Sequence, residues 1–307
     1  MSAAITTSHA TAAKSGAASP SFPGLLRGEL FKISRMRVVW VMLALLISVI
    51  ALPYLIFFAT ASLKDNFATQ PDVFLYRIVD ANLFTLRVFG GIFLLILTAL
   101  VFGTEYQLGT IRILLSRGVG RLHLLAAKLL AVMLVALGIF VAVVALDALL
   151  DWVLLLKDMG GTAMQQHMTS AFWTDTRIYL LTILVSMGVT ILLAMTTTIV
   201  GRGLVFGLGL ALAWFPADNI GVEFMRLAYR LTGNTFWMNI TGTWLGPNLN
   251  AMPSVSATTI YGQHALSASF SPLVDVTGAH TLTVALIYAA IFVAVSVVLM
   301  WKRDVQE

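Results

Sequence analysis

Basic side chains crowd a short loop between two apolar runs of this chain. The stretch Phe102-Gly-Thr-Glu-Tyr-Gln-Leu-Gly-Thr-Ile-Arg-Ile-Leu-Leu-Ser-Arg117, continued to Arg121 and Lys128, sets Arg112, Arg117, Arg121 and Lys128 against one acid, Glu105. Arginines there can make charge-assisted hydrogen bonds to a partner's carboxylates or carbonyls. Gly109 permits a close backbone approach or a helix start, and Ile111, Leu114 and Leu115 can fill an apolar cleft. The chemistry is docking rather than catalysis. Asp147 and Asp151 lie four residues apart, so they share one helical face. They can act as solvated or structural carboxylates, as a cation or substrate contact, or as the acid pair of a membrane enzyme. Arg87 stands one heptad from Asp80 and can snorkel, pair internally or meet a substrate. The five histidines have no metal-ligand spacing, and no nucleophile–base pair is spaced for catalysis, so neither a catalytic nor a metal site is expected. Cysteine is absent, which excludes disulfides and thiolate metal sites.

The elements that must carry these residues are membrane helices. Of 307 residues 59% are hydrophobic and 11% charged, against about 25% charged in a soluble domain. A spanning helix needs about 20 apolar residues. Six runs qualify: Val38–Ala61, Val88–Thr104, Leu129–Leu146, Ile178–Gly201, the short Gly203–Ala217, and Val276–Trp301. Six spans place both termini on one side. Twelve of the 19 lysines and arginines fall on that side, in the N-terminal segment, the 105–128 loop, Arg202, Lys302 and Arg303. The positive-inside rule then puts both termini in the cytoplasm of a multi-pass cell (inner or plasma) membrane protein. Trp40 and Trp301 lie near the expected inner ends, and Tyr54, Trp152, Trp173 and Trp214 near the outer ones, as an aromatic belt would. The net charge of +5 follows this topology and does not suggest nucleic acid.

Residues 1–21 are Ser/Thr/Ala-rich and are expected to form a disordered cytoplasmic tail. Residues 22–37 are expected to form an interfacial amphipathic helix. Phe22, Leu25, Leu26, Leu30 and Ile33 recur at helical spacing, with Arg27, Lys32, Arg35 and Arg37 as the basic side. Residues 38–307 then form one six-span domain. Between spans five and six, residues 217–280 are too long for a simple turn, so short helices are expected there, Ile220–Leu231 among them. Gly203 and Gly207 make a Gly-x-x-x-Gly pair that can let helices approach closely.

The order of pieces resembles the permease subunits of ABC exporters of the ABC-2 type. The matching text is Glu105-Tyr-Gln-Leu-Gly109-Thr110-Ile-Arg112-Ile-Leu-Leu115-Ser, then Arg121 and Ala127-Lys128 opening span three. The family's usual text is close to Glu-Tyr-x-x-Gly-Thr-x-Arg-x-Leu-Leu-Ser. Gly118-Val119-Gly120 departs from it where proline is common. The resemblance implies an all-α fold with an outer subdomain between spans five and six. It implies that loop 105–121 is a coupling helix seated in a separate cytoplasmic ABC ATPase, with Glu105, Gly109, Thr110, Arg112, Leu115, Arg117 and Arg121 as the coupling residues. ATP and magnesium would sit on that partner, and this chain would bind no cofactor. No Gly-x-x-x-x-Gly-Lys-Ser/Thr occurs in the 307 residues. The resemblance also implies a second permease copy or a sister permease, with spans two and five lining the path. Phe89, Phe93, Phe206 and Leu210 are the expected lining residues, with Asp147 and Asp151 as further candidates.

The expected function is ATP-driven export of a hydrophobic or amphipathic cargo, such as a drug, antibiotic peptide or lipid, by alternating access. A non-transporting scaffold for an ATPase and a lipid-acting membrane enzyme are the alternatives.

Overall fold

The computed structural model describes residues 21–60, 71–110, 113, 118–158, 168–257 and 270–302; they are helical, with no strand among them. The helices in chain order are α1 (Phe22–Arg35), α2 (Arg37–Ala59), α3 (Pro71–Gln107), α4 (Arg121–Asp158), α5 (Ser170–Gly201), α6 (Leu204–Thr232), α7 (Phe236–Thr241), α8 (Leu245–Ser256) and α9 (Gly278–Lys302). Six of them, α2, α3, α4, α5, α6 and α9, are long and apolar enough to cross a membrane. The expected tail, 1–21, lies outside the described residues except for Ser21, which caps α1.

The spanning helices overrun the apolar runs that announce them. Span two, expected from Val88, belongs to a helix that begins at Pro71. Counting apolar residues stops at a charge, whereas the backbone ladder continues wherever the charged side chain finds a partner. The same reason corrects span five. Residues 220–231 are not a separate helix but the end of α6. Glu223 and Arg226 pair at 2.8 Å along that turn. Gly233, in the left-handed region at φ 67°, then caps the helix by donating its N–H to the Tyr229 carbonyl.

Helix α1 forms as its sequence suggests. The Ser21 hydroxyl accepts from the Gly24 N–H at 3.4 Å, and Pro23 sits in the first turn, where its missing donor does no harm. Ile33 is buried and Leu25, Leu26 and Leu30 are half-buried, while the basic face is exposed. The helix stops at Arg35, two residues earlier than expected. Met36 is extended (φ −75°, ψ 111°) and forms a one-residue joint to α2.

Helices α3 and α5 pack against each other at the centre. About two-thirds of the apolar window of each is buried, against 17% for α6. The outward face of α6 is therefore free for lipid or another subunit. Two glycines set the close crossings. A Cβ on Gly103 would stand 2.6 Å from the Leu204 Cα, and one on Gly207 would stand 2.5 Å from the Thr198 Cα. Gly207 thus closes the α5–α6 hairpin, whereas its expected companion Gly203 meets only the Gly201 carbonyl at 3.7 Å.

The 217–280 region divides into the end of α6 and a cap of α7 and α8, with residues 258–269 outside the described set. Helix α8 is buried against α9, α5 and α6. The Asn248 amide donates to the carbonyls of Gly242 and Trp244, both at 2.8 Å, and fixes the turn that leads into it.

Candidate functional site

Two groups of polar residues lie at opposite levels of the bundle. At the basic end, α3 terminates in the 105–121 loop. The Leu108 N–H reaches back to the Thr104 carbonyl at 2.9 Å, and Gly109 turns left-handed at φ 65°. Only a residue that tolerates positive φ ends the helix this way without strain. Gly118, at φ 80°, turns the chain again before α4. Leu108 is 74% exposed and Ile113 53%, so the loop presents apolar side chains at the end of the bundle richest in charge. Arg121 opens α4 and donates to the Trp301 carbonyl at 3.3 Å.

Beside this loop, four charged residues form one cluster. Lys128, on α4, is buried and bonds Glu29 of α1 at 3.0 Å, Glu105 of α3 at 2.8 Å and the Val101 carbonyl at 3.1 Å. Lys32 of α1 closes the ring through Glu29 at 3.0 Å and through Glu105. Two acids thus meet two bases. Burial alone would lower the Lys32 pKa, but the carboxylates of Glu105 and Glu29 outweigh it and hold the pKa above the ordinary lysine value. The cluster ties α1 to the feet of α3 and α4, on both flanks of the loop.

The other level of the bundle is charged but not matched. Arg87 on α3 is 8% exposed. It donates to the Leu249 carbonyl at 2.8 Å and the Asn250 side-chain oxygen at 3.0 Å, and lies over the Phe84 ring at 5.6 Å. Its Nε is buried with no acceptor. The Asn250 amide in turn donates to Asn219 on α6 at 3.0 Å. These residues border a cavity of about 280 Å³ between α3, α5, α6 and α8. Across the bundle, the Tyr54 hydroxyl on α2 donates to Asp151 at 2.9 Å and accepts from the Asn82 amide at 2.6 Å. Asp147 is buried there with neither carboxylate oxygen hydrogen-bonded.

A family model described as ABC-2 family transporter protein matches residues 25–216, more than half of the chain. The chain belongs to the ABC-2 transporter family. It is thus a multi-pass membrane protein and a permease subunit of an ABC transporter, and membership implies an ABC ATPase subunit as its partner. No curated protein and no solved structure matches the chain.

The match runs from α1 into α6 and takes in the whole ionic cluster of the permease. Asn219, Leu249 and Asn250, which roof the cavity, lie beyond it. Among the expected coupling residues, Gly109, Thr110 and Arg121 stand at the loop. Arg112, Leu115 and Arg117 lie outside the described residues. Glu105 turns inward to Lys128 and Lys32, so its carboxylate holds the permease together rather than facing out. Of the expected path residues, Phe93 is buried in the core, and Phe89, Phe206 and Leu210 are exposed on the bundle surface. The cavity uses other positions of the same two helices, Ile92 and Leu95 on α3 and Leu212 on α6. The Asp151 carboxylate meets Tyr54 of α2, and neither Asp147 nor Asp151 lines the cavity.

Glu29 is the participant the sequence reading passed over. Its signal was present: an acid three residues from Leu26 and four from Ile33 sits on the apolar stripe of α1 and calls for a buried cation. Asn219, midway along α6, and Asn250, midway along α8, had no such signal, because nothing local says which helix an asparagine will meet.

Proposed function

We propose that this permease exports a hydrophobic or amphipathic cargo by alternating access, driven by an ATPase that seats the 105–121 loop. The reading rests most on the exposed apolar loop braced by the buried ionic cluster. Leu108 and Ile113 offer an apolar contact, and the cluster joins that contact rigidly to α1, α3 and α4. A force on the loop is then a force on three helices. Helix α3 carries it furthest. From Glu105 to Arg87 is 18 residues, or ~27 Å at 1.5 Å per residue. ATP binding at the motor would thus shift the wall of the cavity through a single stiff element. A second permease copy, or a sister permease, would cover the exposed faces of α3 and α6, where Phe89, Phe206 and Leu210 lie. The positive-inside count supports a cytoplasmic loop, and outward transport follows from the family resemblance.

The test is co-purification in detergent of wild type and of Gly109→Trp with Arg112→Glu. The wild type is expected to bring an ABC ATPase, and the variant to lose it while still folding. An ATPase retained in full by the variant would remove the loop from the coupling role.

A further inference from the structure

Arg87 is a permanent cation within a spanning helix. Among the described residues it has no ion pair, and its two hydrogen bonds go to neutral oxygens. Asp80, the nearest acid on the same helix, is ~10 Å away along the axis and accepts from the Tyr179 hydroxyl at 3.0 Å. A charge at membrane depth is expensive unless something answers it. Here the guanidinium borders a cavity, and its Nε is left without an acceptor.

The cavity is also graded. Arg87, Asn219 and Asn250 gather at one end, while Leu95 and Leu212 lie at the other, with the neutral hydroxyl residues Ser186 and Thr190 of α5 along the wall between. Both helices agree on this direction, since α3 and α6 run antiparallel and their apolar positions fall toward the same level. The eight residues from Arg87 to Leu95 span ~12 Å. Ile92 and Pro216 line the wall and are themselves exposed, so the cavity is open sideways toward lipid or a second subunit. Its volume, about 280 Å³, is at the small end of ligand sites, so it takes one head and one chain.

We propose that this cavity binds an anionic amphiphile with its head on Arg87 and Asn219 and a single apolar chain toward Leu95 and Leu212. The proposal rests on the permease reading for its role as a cargo site, but not for the binding itself. The head is a carboxylate or phosphate, either of a free amphiphile or of one arm of a membrane lipid. A planar guanidinium whose two terminal nitrogens each carry a second N–H beyond the bonds to Leu249 and Asn250 suits either oxyanion.

The experiment uses the permease with its co-expressed ATPase in phosphatidylcholine nanodiscs, with decanoate as probe and decyltrimethylammonium as its cationic match. Wild type is expected to bind decanoate saturably and at least about tenfold tighter than the cation. Arg87→Gln should abolish that preference. Gly91→Leu is the control for folding. Gly91 lines the cavity, and a Cβ there meets nothing within 4 Å, so a leucine side chain can start there and extend into the cavity. It should remove decanoate binding and keep the melting temperature. Undiminished binding in Gly91→Leu, or no preference for the anion in wild type, overturns the site. Displacement of decanoate when phosphatidylglycerol replaces half of the lipid assigns the site to a lipid head; no displacement assigns it to a free amphiphile, and either keeps the site. Variants that bind like wild type beside an assembled ATPase sink the site alone. Binding as expected with no ATPase in the preparation sinks the coupling alone.

Discussion

The two charged levels of this permease differ in one respect that decides what each can do. At the basic end, Glu29, Lys32, Glu105 and Lys128 meet two against two within hydrogen-bond distance. At the other level, no ion pair reaches Arg87 or Asp147 among the described residues: Arg87 rests on neutral oxygens, with Asp80 about two helical turns away, and Asp147 lies buried beside Asp151. A set with paired charges holds helices in place, even though the second Glu105 oxygen, Oε2, is buried there without a hydrogen bond. An unmatched charge keeps its desolvation penalty until a ligand, proton or partner arrives. Charge balance thus separates an end held together by ion pairs from the end where binding is proposed.

The sharpest way to break the contrast is Lys128→Met. It leaves two buried carboxylates facing each other with only the half-exposed Lys32, and should cost about 3–5 kcal/mol. Thermal unfolding in detergent should show this as the largest drop of the set. Adding Glu29→Gln and Glu105→Gln should recover most of it. A small drop without that rescue would mean the cluster is ornamental.

Asp147→Asn should act in the opposite direction. It removes a charge whose oxygens have no donor, so a gain of about 1 kcal/mol, or ~2 °C, is expected. A loss of similar size would show that Asp147 is answered in the membrane and belongs with the matched set. Transport lost with stability raised would mark it as functional.

Lys32→Ala should have the smallest effect, within about 1 kcal/mol, because the side chain is 46% exposed. Its pH dependence has a definite sign. The folded pKa lies above the unfolded value, so the contribution is complete below about 10.4 and fades as pH rises through the folded pKa. The melting difference between wild type and Lys32→Ala should thus be flat from pH 7 to 9 and shrink only above that range. A difference that shrinks between pH 7 and 9 would refute the assigned ion pairs.

Much of the fold is legible in the residue order. The six apolar runs and the amphipathic helix have counterparts in the six long helices and α1. These are local facts. In lipid a backbone must satisfy itself within its own helix, so hydropathy and spacing along the chain suffice to place it. Helix ends were harder, as Pro71 and Thr232 illustrate, since charged residues extend a helix only when something elsewhere receives them. The site was the least legible. Phe89 and Ile92 are three residues apart on α3, yet Ile92 lines the cavity and Phe89 does not. Each residue turns a helix by about 100°, and no local pattern says which neighbour a given face will meet. Glu29 and Lys128 are 99 residues apart, and Arg87 and Leu249 are 162. Whether a charge ends up matched is a property of helix neighbours and their rotation, and those are settled by packing across the whole bundle.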